Sequence, residues 1–336
     1  MKRLGGIRGA TAGVLSTLVC LGVGACGGGS ASQAVIVEAS PQEPPSRPLA
    51  SAKVAEGEQL LAKGAVKEAW ALFEEALAED PNDPRAWLDL GLVHEEVGDW
   101  SAAERAYRRA TEIDGRFTEA FNNLGVLLRE RQNLPDAITM LEHAVALDPN
   151  FGPARFNLAL AYEDTGNLEG AEREYLAAIE QASDDPVPRI NLAMLYLRTN
   201  RTEDALVQLR AAEPSVQGDV LLSIAVGSAL RRAGAPEDAV RVLHGALAYA
   251  SDPPPTELLA ELALALYASD DHKAAQSTMR RAVDQRPNDP ALQYALGTML
   301  ASQGQHDEAK PYLKRTIQLA PNGPLAPRAR AQLQAQ

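Results

Sequence analysis

Three asparagines recur at intervals of 34 residues, each directly before a leucine: Asn123, Asn157 and Asn191. The stretches that hold them, FNNLGVLLRE from Phe121, FNLALAYED from Phe156 and INLAMLYLR from Ile190, are otherwise mostly apolar. A side-chain amide carries two donor hydrogens and an acceptor oxygen, so it can pair with a peptide backbone whatever that peptide's sequence. Amides returned at a regular spacing would track an extended peptide. Their other use is a bond to a neighbouring segment of the same chain. His272 and His306 stand beside Asp270-Asp271 and Asp307-Glu308, where surface turns are favoured over a metal site. No Gly-rich phosphate loop, His-Glu-x-x-His or Gly-x-Ser-x-Gly motif occurs. Both cysteines, Cys20 and Cys26, fall at the start of the chain, so the remainder has no nucleophilic thiol and no thiolate metal site. No cofactor and no metal are expected, and the chain does not read as an enzyme. A hydrolase using scattered carboxylates is the alternative of another class, and turnover by the purified protein would be its mark.

Composition sets the elements that must carry these groups. The chain has 336 residues, 46% of them hydrophobic and only 5% aromatic. Ala and Leu supply the apolar content, and both are strong helix formers. Period-two runs of β-branched residues are absent, so an all-α fold is expected. The net charge of −13 argues against a nucleic-acid partner, because phosphate contacts need a basic surface.

A 34-residue step organises the chain from residue 50. Successive units start at 50, 84, 118, 152, 186 and 220; a two-residue insertion near Pro253-Pro254-Pro255 moves the last two starts to 256 and 290. The eighth place of each unit is Gly or Ala (Gly57, Gly91, Gly125 and Gly227 among them), and the twentieth is always Ala, from Ala69 to Ala309. Small residues there let two helices approach closely. Gly64, Gly98, Gly166, Gly234 and Gly304 suit the left-handed residue that closes a helix. With Trp87-x-x-Leu90-Gly91, then Gly98, Ala103, Tyr107 and Ala110, the chain resembles the tetratricopeptide repeat family, whose period is about 34 residues.

The resemblance implies an all-α, right-handed superhelical solenoid of about eight helix-turn-helix repeats over residues 50–323, closed by a capping helix over 324–336. Position four is polar in five repeats (Lys53, Arg155, Arg189, Ser223 and Gln293), which predicts looser packing at those joints. The resemblance also implies a groove lined by the first helix of each repeat, with position six facing it. That places Asp89, Asn123, Asn157 and Asn191 outside the core. The expected peptide-binding set is these four residues with Phe156 as an apolar anchor and Arg198, Arg231 and Arg232 as cations. Acidic groove residues come early (Asp89, Glu95, Glu130), basic ones in the middle, and Glu257 and Glu261 turn the face acidic again. A ligand basic at one end and acidic further along is expected.

Residues 1–25 have the layout of a secretory signal, with Lys2, Arg3 and Arg8 before an apolar run. Val23-Gly24-Ala25-Cys26 resembles the lipobox of bacterial lipoprotein precursors, which implies acylation of Cys26. Gly27 in place of an Asp favours the outer membrane, facing the periplasm. Residues 26–49, rich in Gly, Ser and Pro, read as a disordered tether reaching on the order of 25 Å as a coil and up to roughly 80 Å extended. The architecture is similar to tetratricopeptide pilotins of pilus secretins and to lipoproteins that organise peptidoglycan enzymes. It implies a membrane-anchored scaffold that binds protein segments, an envelope assembly factor without turnover.

Overall fold

The computed structural model describes residues 51–335. The signal, Cys26 and tether readings lie outside the described residues. Within them the chain is helical, with no strand. It divides into two compact units, before and after the boundary between Ser183 and Asp184.

The first unit pairs α1 (Ala52–Ala62) with α2 (Val66–Glu79), α3 (Pro84–Glu96) with α4 (Trp100–Ile113), α5 (Thr118–Glu130) with α6 (Leu134–Leu147), and α7 (Gly152–Asp164) with α8 (Leu168–Gln181). The second pairs α9 (Pro186–Arg198) with α10 (Thr202–Ala212), α11 (Val220–Arg232) with α12 (Pro236–Ala246), α13 (Thr256–Ala268) with α14 (His272–Gln285), and α15 (Pro290–Ser302) with α16 (His306–Leu319). A last helix, α17 (Leu325–Gln334), buries Ala326 and Ala329. The order of elements is helix-turn-helix in both units, all α among the described residues.

Local chemistry sets the boundaries. Asp83, Asp185 and Asp289 cap α3, α9 and α15, accepting from backbone N–H groups of the first turn, with Pro in that turn where its missing N–H costs nothing. One residue in left-handed backbone closes every first helix. It is glycine in five repeats, at φ between 74° and 79°, but Gln132, Asn200 and Asp270 take the same place at φ 62°, 59° and 65°. A side chain there costs roughly 1 kcal/mol against glycine. The repeat therefore imposes this turn even where the sequence lacks the residue that suits it.

Between paired helices the spacing is set by the small eighth residue. A Cβ on Gly91 would lie 2.3 Å from the Tyr107 ring, and one on Gly57 or Gly125 would meet Phe73 or Leu141 at 2.4 or 2.5 Å. In the second unit Gly227 and Gly297 face Leu243 and Leu313 in the same way. The twentieth-position alanines are fully buried in both units. Buried residues of successive repeats pack together, as Leu259, Ala263 and Met279 do with Leu296, Leu300 and Leu313.

The joints at position four are not loose. Lys53 reaches Glu75 and Glu79 at 2.8 and 2.9 Å. Arg155 donates to Glu174 at 2.7 Å and Arg189 to Gln208 at 3.1 Å. Ser223 and Gln293 donate to the carbonyls of Val216 and Pro287. A polar head satisfied on the same repeat's second helix, or on the loop before the first, replaces the expected apolar contact. The long stems still pack.

Gly91→Ala tests the close approach. Alanine favours a helix by about 1 kcal/mol over glycine, whereas forcing a methyl into a filled contact costs about 1–3 kcal/mol. Tyr107 is fully buried and its hydroxyl is held, so it cannot swing aside. Net destabilisation in urea unfolding is expected; an unchanged or raised midpoint would contradict the packing. Gln132→Gly should shift the other way, stabilising by about 0.5–1 kcal/mol, and a loss would show that the Gln132 side chain contributes something the turn needs.

Candidate functional site

Each unit presents a face built from its first helices, and side chains cross from one first helix to the next along it. In the first unit, Asn157 on α7 donates to the Asn122 amide oxygen on α5 at 2.9 Å. Asn122 in turn donates to Asn123 at 3.1 Å. Arg129 on α5 donates to Asp164 on α7 at 2.8 Å. Arg85 on α3 binds Glu58 on α1. In the second unit, Arg231 on α11 meets Glu261 on α13 at 3.2 Å, and Arg232 lies 3.7 Å from the Met194 sulfur on α9.

The three asparagines therefore do three different things. Asn157 and Asn191 are buried, at 5% and 8% exposure, and so is Asp89, at 5%, so the expectation that these three stand outside the core is corrected. Asn191 turns back on its own helix and donates to the Val187 carbonyl at 2.9 Å. Only Asn123 keeps partial exposure. Position six lies at the edge of the contact between neighbouring first helices, and large residues on those helices bury it. Phe156 is corrected likewise: it is 4% exposed and packs against the Tyr175 ring, with centroids 5.9 Å apart. Among the expected cations, Arg198 and Arg232 are exposed, whereas Arg231 is half-buried and paired. Glu257 pairs with Arg286 at 2.6 Å, so the late acidic turn of the face is compensated.

What is not compensated gathers in the first unit. The Tyr107 hydroxyl, carried on α4, donates to Glu95 on α3 at 2.7 Å. Burial, then the Glu95 charge and hydrogen bond, hold the hydroxyl's proton well above the usual range, with smaller effects from Asp89 on α3 and Glu130 on α5. Burial pushes Asp89 well up, and the neighbouring Glu58 carboxylate adds to the rise against an opposing pull from Arg85. Its Oδ2 is buried and has no hydrogen-bond partner among the described residues. Burial also raises Glu95 to about 7, with Glu130 adding to it and the Tyr107 bond opposing.

Tyr107 and Asn122 were not singled out from the sequence, although a signal for Tyr107 was present. Tyr occupies position twenty-four only in the second and fourth repeats, and only these two have Glu at position twelve. Both tyrosines make the same bond, Tyr175 to Glu163 at 2.8 Å repeating Tyr107 to Glu95. His272 stacks on Tyr267 with centroids 4.9 Å apart and lies 3.7 Å from Asp270. No group of three or more His, Cys, Asp or Glu side chains able to hold a metal occurs among the described residues. Nor is any described helix long and apolar enough to cross a membrane.

Tetratricopeptide repeat family models match residues 60–124, 122–186, 186–211 and 260–324, well over half of the chain. The chain belongs to the tetratricopeptide repeat family. Human tetratricopeptide repeat protein 7B is 32% identical over 71 residues, which are 21% of this chain and 8% of that relative's length. The APC/C hetero-tetramer Cut9-Hcn1 structure aligns at 17% identity over 84% of this chain and 55% of that one, with a TM-score of 0.52. Yeast Tom70 aligns at 18% identity over 84% of this chain and 63% of its own, with a TM-score of 0.51. The chain thus spans less than two thirds of each of these three proteins, and at such identities the two structures show a shared fold.

Glu95 gives a pH test. Its folded value of about 7 lies above the unfolded value of about 4.3. The folded state therefore holds the proton more tightly. The stabilisation is complete below the unfolded value and is lost as pH rises through 7, by at most on the order of 3 kcal/mol. Glu95→Gln keeps the acceptor for Tyr107 and cannot ionise. Its unfolding midpoint should match wild type near pH 4 and exceed it at pH 8. A constant offset across that range would refute the assignment.

Proposed function

We propose that this chain is a membrane-anchored scaffold that holds a protein segment along the first-helix faces of its repeats and carries out no turnover. Tetratricopeptide arrays generally serve as protein-interaction platforms, and this array offers only structural uses for most of its polar groups. The observation that carries the reading is the composition of those faces. Phe156, Ile190 and Ile224 on them are buried and Leu221 is exposed, while Asn123, Glu130, Arg198 and Arg232 reach solvent. Such a surface suits an extended, polar segment more than a globular apolar partner.

Anchoring rests on the sequence Val23-Gly24-Ala25-Cys26 and the basic start before it. With acyl chains on Cys26 and a tether to residue 49, the repeats would stand near a bilayer. Gly27 favours the outer membrane and the periplasmic side. An envelope assembly role, of the pilotin kind or in peptidoglycan metabolism, follows by architectural analogy. Loss of secretin multimers on deletion would mark the first, and altered cell-wall fragments with intact secretins the second.

Two measurements in cells test the reading. Cys26→Ser should abolish incorporation of labelled palmitate and move the chain out of the membrane fraction. Crosslinking followed by mass spectrometry should capture a protein with wild type and lose most of it with Asn123→Ala combined with Arg198→Ala and Arg232→Ala. Equal capture by that variant would move the binding surface away from the first helices.

A further inference from the structure

We propose that the turn edge of the first two repeats, formed by Val66, Trp70, Val97 and Trp100, is the seat of the chain's own apolar run Ala34-Val35-Ile36-Val37. This surface is separate from the first-helix faces, and its use goes beyond the scaffold reading above.

The edge is apolar and open to solvent. Val97 closes α3 and Trp100 opens α4, on either side of one tight turn, and they are 51% and 45% exposed. Val66 and Trp70, at the start of α2, are half-buried and pack on the cluster that holds Val93 of α3. The Trp70 ring meets the His94 ring edge-on, with centroids 5.0 Å apart. The start of α2 therefore lies against the last turn of α3, next to Val97. Four large apolar side chains thus share one edge, two of them indoles. A patch of that kind on a soluble surface marks a contact.

Length, chemistry and charge name the occupant. The described chain begins at Ser51, directly before α1, in the same repeat as Val66. Residues 38–50 join it to the run, and so many residues reach roughly 20 Å as a coil. From its start to the turn before α2, α1 rises about 16 Å, so the span suits the leash. Ala34-Val35-Ile36-Val37 is the longest apolar stretch between Cys26 and Ser51, and Glu38 follows it directly. Lys63 and Lys67, on either side of Val66, are exposed and form no ion pair among the described residues. The first unit's other lysine, Lys53, is held by Glu75 and Glu79. Two unpaired ammonium groups beside an apolar patch suit an apolar run that ends in a carboxylate. A second copy of the edge would bring the same lysines with it. Because the run is tethered, its effective concentration at the edge is on the order of millimolar, so a weak contact suffices. On the anchor reading above, a seated run leaves only residues 27–33 between Cys26 and the repeats, roughly 15 Å as a coil. Release would lengthen that leash.

The test reads acrylamide quenching of tryptophan fluorescence, with the full chain in lipid nanodiscs. Trp100→Phe, measured in parallel, subtracts the signals of Trp70 and Trp87. Trp100 should be quenched several-fold less in wild type than in a variant with Val35→Ser, Ile36→Ser and Val37→Ser. Those substitutions lie outside the repeats, so circular dichroism should stay unchanged as protection is lost. Lys63→Glu with Lys67→Glu should weaken the protection too, and adding Glu38→Lys should restore part of it. Trp100 equally open in wild type and the Ser variant would overturn the proposal. Trp100 equally protected in both would assign the edge to the bilayer or to a second copy, and would overturn it as well. Capture of a protein on the first-helix faces is read separately, by crosslinking in cells, so the scaffold reading stands or falls on its own.

Discussion

Each repeat rests on one close approach between its two helices, so tight in five of them that even a methyl group on the glycine would collide with the facing side chain. At Gly91 the neighbour is the Tyr107 ring, and the same geometry recurs with Gly57 and Phe73, Gly125 and Leu141, and Gly227 and Leu243. The twentieth-position alanines, fully buried in every repeat, continue the contact. The Tyr107 ring packs against Gly91, and its buried hydroxyl donates to Glu95.

Most polar groups on the first-helix faces are spent on holding repeats together. Asn157 bonds Asn122, Arg129 bonds Asp164, and Arg231 bonds Glu261, each from one first helix to the next. Position-four residues tie each first helix to its own second helix or entering loop. Exposed ion pairs of this kind contribute little apiece, about 0–1 kcal/mol. Their value is in setting the register between neighbours whose apolar contacts are much alike. Against that background Asp89 and Glu95 stand apart, since burial disfavours their ionised forms.

The fold was legible because it is periodic. A 34-residue step, small residues at the eighth and twentieth places and a left-handed turn at the fifteenth each express one steric need repeated along the chain. Helices starting at Pro84, Thr118, Gly152, Pro186 and Val220 follow that step, and Thr256 and Pro290 follow the insertion. The turn itself was only partly legible, because Gln132, Asn200 and Asp270 adopt a backbone that their side chains do not favour. The site was less legible for a physical reason. Period tells which face a residue lies on but not whether its neighbour on the next helix covers it. Asn157, Asn191 and Phe156 share the phase of a groove and are nevertheless buried: Asn157 bonds Asn122 on the neighbouring first helix, Asn191 bonds its own helix, and Phe156 packs against Tyr175. The Tyr–Glu pairing at positions twenty-four and twelve was the one readable clue to the cluster, since the two residue types appear together or not at all.

The central claim is that burial beside the Tyr107 hydroxyl makes the Glu95 carboxyl hold its proton. The most direct test is to follow the Glu95 side-chain carboxyl by carbon-13 NMR through a pH titration, using Glu95→Gln to assign the signal. The chain should show a midpoint near 7. A midpoint already near the ordinary glutamate value of about 4.3 would contradict it.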